Sequence, residues 1–174
     1  MSDVAQTHRR VHPNRLVIII DCKPAPRASD LGELFTALAR DYKDVTEGRV
    51  LVVTSIQRGS IIATLTDWAL QAFPIVNAGV EGVLAAKALA DFWDLLRAWI
   101  NGANAEKPKK PLYRSGRKAP GQRSVEAVVK IAAESGRDVR VKYTNANGET
   151  LEVKMGAEQA AQLMSAGRRR RRRS

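Results

Sequence analysis

Residues 60–100 constrain the fold of this chain more than any other stretch. They contain all three tryptophans, Trp68, Trp93 and Trp99, and two of the three phenylalanines. Any core, oligomer interface or membrane surface must therefore draw much of its apolar area from this stretch. Its longest run without a charged residue, Trp68 to Val80, has 13 residues, whereas a helix that spans a bilayer needs about 20. The stretch predicts a core or interface helix rather than a membrane span.

The chain before and into this stretch predicts a strand, a helix and a β-hairpin. Residues 15–21 are apolar on both faces, as in a buried strand. A helix follows from about residue 29, where Asp30 and Glu33 resemble a capping box. Residues 49–56 and 60–66 form two strands around a two-residue turn, Arg58 and Gly59, and the register opposes Ile56 to Ile61, Thr54 to Ala63 and Val52 to Leu65. The strand–helix–strand order favours parallel first and second strands, with the third antiparallel to them in a small mixed sheet.

Residues 75–100 predict one long amphipathic helix, with Pro74 at its start or at a kink. About 26 residues give a length of roughly 39 Å, whereas a body of ~125 ordered residues is only about 35 Å across. Core packing is the first explanation of the wide apolar surface of this helix, an interface between copies is the second, and membrane insertion is the third. The oligomer interface that we expect uses Trp93, Leu96, Trp99 and Ile100.

The region after residue 123 predicts a small αββα unit. Ser124 is a suitable N-cap, strands 138–144 and 149–155 alternate cleanly, and a last helix covers about residues 157–165. A three-residue loop with Gly148 in the left-handed conformation opposes Val139 to Met155, Val141 to Val153 and Tyr143 to Leu151. About 43 residues is close to the lower limit for independent stability, so we expect this unit to dock on the first.

These elements predict an α+β protein made of five regions along the chain. They are a flexible N-terminus (1–14), a βαββα core (15–103), a basic linker (104–123), the αββα unit (124–166) and a poly-arginine tail (167–174).

The net charge of +11 is concentrated in two of these regions. Residues 1–104 are balanced and residues 124–167 carry −1, whereas residues 105–123 and 168–173 carry +6 each. The predicted folded parts are therefore close to neutral, and we expect the two basic segments to bind a polyanion. The candidate binding residues are Lys107, Lys109, Lys110, Tyr113, Arg114, Arg117, Lys118, Arg123, Arg168, Arg169, Arg170, Arg171, Arg172 and Arg173, with Tyr113 able to stack on a base.

This charge layout favours a non-enzymatic interaction or scaffolding protein that is homo-oligomeric and binds nucleic acid non-specifically through phosphates. A membrane-associated effector is the alternative, in which the tryptophan-rich helix lies at the membrane interface and the same basic segments bind anionic lipid. Cys22 is the only cysteine, and the N-terminus lacks the apolar run of a secretory signal, so we expect a cytoplasmic protein.

The sequence offers little support for catalysis, a metal or a cofactor. His8 and His12 have a spacing that could clamp a metal on a helix, but Pro13 opposes a helix there and no third ligand lies nearby. Cys22 has no histidine close in the sequence that could act as its base. A small enzyme with a site near Asp21, at the end of the first strand, is the third hypothesis. Asp67 lies at the opposite end of the sheet, where we expect an ion pair with Arg49.

Overall fold

The computed structural model describes residues 14–21, 26–57, 60–72, 79–105, 112–113 and 117–171, and side chains are described except at 72 and 168–171. The predictions about Cys22, Pro74, His8, His12 and the Arg58–Gly59 turn lie outside these residues. The elements, in chain order, are β1 Arg15–Ile20, α1 Ala28–Val45, β2 Leu51–Gln57, β3 Ile61–Asp67, α2 Trp68–Ala72, α3 Gly79–Asn104, α4 Gln122–Ser135, β4 Val139–Thr144, β5 Thr150–Met155 and α5 Ala157–Arg171.

The five described strands form one sheet in the order β2-β3-β1-β4-β5. Strands β1 and β2 are both antiparallel to β3 and so run in the same direction, as predicted. They do not pair with each other, because β3 lies between them. All four pairings of the described strands are antiparallel, so the predicted mixed sheet is corrected to an antiparallel one. The hairpin of β4 and β5 joins the sheet through β1, which is the docking that we expected of the C-terminal unit. The α+β class is confirmed.

The register of the β4–β5 hairpin is confirmed. The structure opposes Val139 to Met155, Val141 to Val153 and Tyr143 to Leu151. Gly148 has a φ of 82°, the left-handed conformation that closes the three-residue loop. Alternation of buried and exposed positions specifies this register, because a slip of one residue would turn every apolar side chain to solvent.

The predicted register of the β2–β3 hairpin is wrong. Ile56 opposes Ala63 and Val52 opposes Thr66, while the register shifts at Thr54 between Val53 and Ser55. The pairs nearest the turn are displaced by two residues from the prediction, and the β-bulge, which adds one residue to one strand, reduces the displacement to one beyond Thr54. Val53 and Ile56 consequently share the side of the core residues Leu65 and Ala63, yet they stay exposed because β2 is an edge strand.

The core lies between the helices and one face of the sheet. Alternate residues of β1, Leu16, Ile18 and Ile20, point into it and are at most 1% exposed. Their neighbours Val17 and Ile19 face the other side of the sheet and are only half buried. Helices α1, α3, α4 and α5 all contribute buried apolar residues to this single cluster.

Helix α3 is continuous over 26 residues and completes the monomer core. The ring of Trp93 stacks on Tyr143 with 6.0 Å between centroids, and Phe92 meets Tyr42 edge-on at 5.3 Å. The residues predicted to form an oligomer interface, Trp93, Leu96, Trp99 and Ile100, are 0–5% exposed. Their apolar surface is already covered by the sheet and neighbouring helices, so this part of the prediction is corrected to core packing. None of the described helices has the length and apolar content that crossing a membrane requires.

Two charged residues of α1, Asp30 and Glu33, join this helix to α4 rather than capping α1. Asp30 and Glu33 both pair with Lys130 of α4, at 3.1 and 2.6 Å, so they do not form the predicted capping box. The N-cap of α4 is Gly121, and the predicted cap, Ser124, lies inside the helix. The two helices are thus held by contacts between residues far apart in the sequence.

Candidate polyanion-binding surface

Helix α5 extends the fold into the arginine run. It reaches Arg171, six residues beyond the predicted end of the last helix. Arginine is a good helix former, and cations are stabilised near a helix C-terminus by the partial negative charge there. The backbone of residues 168–171 rises only about 4.5 Å over this turn. The helical backbone therefore continues into the arginine run as far as Arg171.

Gly167, the residue that precedes the arginine run, lies against Tyr113 of the basic linker. A Cβ added at Gly167 would come within 3.0 Å of Cδ2 and 3.1 Å of Cβ of Tyr113. A methyl group at this position would be tighter against the ring than ordinary van der Waals contact, so glycine favours this approach between the helix and the ring. Tyr113 and Gly167 are separated by more than 50 residues of chain, yet each is followed directly by an arginine, Arg114 and Arg168. Residue 113 of the linker thus lies against the residue that precedes the arginine run.

Glu126 of α4 holds Tyr113 in position. The carboxylate of Glu126 accepts a hydrogen bond from the Tyr113 backbone N–H at 2.7 Å, and its backbone carbonyl accepts one from the phenol at 3.2 Å. Tyr113 adopts a φ of 61°, which is unusual for a residue with a side chain. The ring is half buried with both polar groups engaged. Tyr113 packs between α4 and Gly167 of α5, and this geometry gives no support to the base-stacking role predicted for it.

Two other candidates are bound within the fold. The ammonium of Lys118 contacts both carboxylate oxygens of Glu126 at 2.9 Å. Arg123 donates to Asp41 and Asp44 at 2.8 Å, and these hydrogen bonds raise the pKa of the guanidinium. A cation that is already neutralised by carboxylates contributes little to binding a phosphate.

The remaining candidate binding residues differ in how much of each one the structure describes. Arg117 is exposed. Residues 168–171 have a described helical backbone. Lys107, Lys109, Lys110, Arg114, Arg172 and Arg173 lie outside the described residues.

The Asp21 end of the sheet, where the sequence suggested a site, contains a cleft. The sequence did not indicate the basic residues that line it. The cleft has a volume of about 660 Å³ and is lined by Asp21, Gly136, Arg137, Asp138, Arg140 and Lys154. Asp21 accepts a hydrogen bond from the Ser60 hydroxyl at 3.0 Å. Arg140 alternates with the inward-facing Val139 and Val141. That alternation was the signal that could have placed it on the outer face.

At the opposite end of the sheet, Asp67 forms a buried network. The predicted ion pair with Arg49 is confirmed, with 3.5 Å between Nη1 and Oδ1. Asp67 also accepts hydrogen bonds from the Tyr42 hydroxyl and from the N–H of Ala69, which lies in the first turn of α2. Burial, and then the hydrogen bond to Asp67, raise the pKa of Tyr42 above its ordinary range. Arg49 reaches Glu81 of α3 at 2.7 Å, so the network ties together α1, β3 and α3.

A second cleft, of about 590 Å³, adjoins this network between α1 and α3. Four of its charged lining residues form pairs: Arg49 with Glu81, and Lys87 with Asp91 at 2.6 Å, the latter as expected for residues four apart on a helix. The fifth, Glu47, has no ion-pair partner among the described residues, so the unpaired charge of this cleft is negative and does not suit a polyanion. Across the described part of the chain, no group of three or more histidine, cysteine or acidic side chains is arranged to hold a metal ion.

Comparison with protein families, with curated proteins and with solved structures found no match to this chain.

Proposed function

We propose that this protein binds nucleic acid without sequence preference, through a composite basic surface at the junction of the linker and α5. The observation that carries the proposal is the contact between Tyr113 and Gly167. It places Tyr113, which belongs to one +6 segment, against Gly167, which directly precedes the other, on a body that is otherwise nearly neutral. A local charge of this density attracts a phosphate backbone and its release of counterions drives binding.

The contacts that this surface offers are to phosphates rather than to bases. Arginine runs neutralise phosphate oxygens, which carry no sequence information. With six arginines engaged on duplex DNA, the slope of log affinity against log salt would be roughly −5. The residues proposed to bind are Lys107, Lys109, Lys110, Arg114, Arg117 and Arg168 to Arg173, with Tyr113, Lys118 and Arg123 reassigned to positioning the surface.

Homo-oligomerisation and a cytoplasmic location remain part of the proposal. Because the predicted interface residues are buried, a second copy would use the exposed residues Val80, Val83 and Leu84 near the start of α3. They lie three and four residues apart on one helix face and are 77, 69 and 48% exposed. A dimer would place two basic surfaces on one polyanion, which raises the effective concentration of the second contact.

The test compares charge location at constant net charge. One variant replaces Arg169 to Arg173 with glutamine, and its matched control replaces five exposed cations of the body, Arg27, Arg40, Lys43, Lys87 and Arg97. Fluorescence anisotropy with a labelled duplex from 50 to 300 mM salt should show the slope reduced by roughly 4 in the tail variant and by less than about 1 in the control. Equal slopes in the two variants would refute the proposal. Co-sedimentation with phosphatidylserine vesicles supplies the lipid comparison, and tighter binding to vesicles than to duplex at matched salt would favour the membrane alternative.

A further inference from the structure

Two cations oppose each other across the pair of strands at the C-terminal edge of the sheet. The register places Arg140 of β4 directly opposite Lys154 of β5. Like charges in this position are destabilising. The next outward-facing pair, Lys142 and Glu152, shows the favourable alternative, with 2.8 Å between its charged atoms.

The carboxylates near Arg140 are engaged elsewhere. Asp138 accepts the Ala157 N–H at 3.0 Å and the Lys154 ammonium at 3.0 Å. These contacts, the backbone one first, lower the pKa of Asp138, and Arg140 adds a weaker electrostatic contribution. Glu152 is paired with Lys142. Among the described residues, no carboxylate lies within ion-pair distance of the guanidinium of Arg140 or of Arg137.

Both guanidiniums line the cleft of about 660 Å³ at the Asp21 end of the sheet. Its volume is in the range of sites that hold small ligands. Arginine offers planar, paired donors that match phosphate oxygens, and such charge-assisted hydrogen bonds are among the strongest in proteins.

We propose that this cleft binds the phosphate group of a small phosphorylated molecule through Arg137 and Arg140. The anion would lie between these guanidiniums and offset the repulsion between Arg140 and Lys154. The site is separate from the arginine run, so it does not depend on the proposed nucleic-acid surface. A phosphate of nucleic acid has the same chemistry, and the experiment therefore distinguishes the two sources.

The probe is inorganic phosphate, added at constant ionic strength to ¹⁵N-labelled full-length protein whose arginines 169–173 are replaced with glutamine. Amide signals of Gly136, Arg137 and Asp138 should shift and saturate. Arg140→Gln should weaken the apparent affinity by about tenfold or more, as expected for loss of a hydrogen bond to a charged group. Lys142→Gln, one outward position along the same strand, is the matched control and should change it less than threefold.

A second measurement excludes a purely structural role for Arg140. Without phosphate, Arg140→Gln should be close to its parent in stability, because the substitution removes both the repulsion with Lys154 and the electrostatic attraction to Asp138. A single-stranded oligonucleotide added to the same tail variant should leave the cleft amides unshifted at concentrations where phosphate shifts them. The proposal would be overturned by an absence of saturable shifts or by equal phosphate affinity in Arg140→Gln. A marked loss of stability in Arg140→Gln without phosphate, or stronger shifts with the oligonucleotide, would also overturn it.

Discussion

The carboxylate of Asp41, on α1, accepts hydrogen bonds from both the backbone N–H and the hydroxyl of Ser124, on α4, each at 2.8 Å. Asp41 is completely buried, and its second oxygen accepts from Arg123 at 2.8 Å. A carboxylate of α1 thus satisfies an N–H in the first turn of α4, a task that a capping side chain usually performs within one helix.

Replacing Asp41 with alanine should destabilise the fold by about 3–5 kcal/mol, because it leaves buried donors and a cation without their acceptor. Asp41→Asn should cost less, since one oxygen acceptor is retained. Asp44→Ala is the matched control: Asp44 contacts Arg123 from an exposed position, so its loss should cost less than about 1 kcal/mol. Urea unfolding measures all three, and a similar loss for Asp41→Ala and Asp44→Ala would contradict the assigned role.

Gly167→Ala should fail to stabilise α5, although alanine is favoured over glycine in helices by roughly 1 kcal/mol. The added methyl would press on Tyr113, which approaches to 3.0 Å. In a Tyr113→Ala background the same substitution should become stabilising, so the double-mutant cycle yields a coupling energy. Gly102→Ala in α3 is the control, because nothing lies within 4 Å of its Cβ position. Additive effects of the changes at 113 and 167 would show that the contact is not formed.

Tyr42→Phe should flatten the fall of stability at alkaline pH. The folded protein holds the Tyr42 proton above its ordinary pKa because of burial and the bond to Asp67. Below about pH 10 both folded and unfolded chains keep this proton; above it only the unfolded chain releases it, and stability falls by about 1.4 kcal/mol per pH unit. Denaturant unfolding from pH 8 to 11.5 should show a slope smaller by one proton in the variant. Parallel pH profiles would argue against the buried Tyr42–Asp67 bond.

Ile100→Ala should lower stability by about 2–5 kcal/mol at any protein concentration, because Ile100 is a core residue. If it lay between copies, the loss would depend on concentration through association. Val83→Ala, at a position 69% exposed, should change the stability of the monomer by less than about 0.5 kcal/mol. Thermal unfolding at two concentrations a hundredfold apart distinguishes core from interface.

Arg117→Gln should affect nucleic-acid binding and not stability, whereas Arg123→Gln should affect stability and not binding. Arg117 is exposed, so its substitution should reduce the salt slope of nucleic-acid binding by about 1 and leave stability unchanged. Arg123→Gln should lower stability through loss of its pair with the buried Asp41, with an unchanged slope. The pair can be measured in the same anisotropy and urea experiments, and a reduced slope in Arg123→Gln would return that residue to the binding surface.

Local pattern predicted the elements of this fold better than their partners. Strict alternation and one left-handed glycine, Gly148, were enough for the β4–β5 register. The β2–β3 register was not accessible in this way, because the prediction rested on a two-residue turn, whereas the pairs nearest the turn, such as Ile56 with Ala63, are displaced from it by two residues.

The faces of α3 were harder still, because apolar residues surround much of the helix and periodicity cannot rank them. Trp93 and Ile100 are buried in the core, whereas Val80 and Val83 are exposed at the surface. The contact of Tyr113 with Gly167 and the bonds from Asp41 to Ser124 join residues more than 50 positions apart, and no local rule connects such pairs. The opposed cations Arg140 and Lys154 were within reach, since the confirmed register places them together.

The position of β1 has a consequence for how the chain folds. Among the described strands it is the first along the chain but the middle one of the sheet, paired on one side with β3 and on the other with β4, which begins at Val139. During synthesis one hydrogen-bonding edge of β1 has no partner until β4 has emerged, more than 115 residues later. Such late, long-range closure slows folding and leaves an aggregation-prone edge on the nascent chain. The N-terminal half therefore depends on the C-terminal hairpin to complete its sheet.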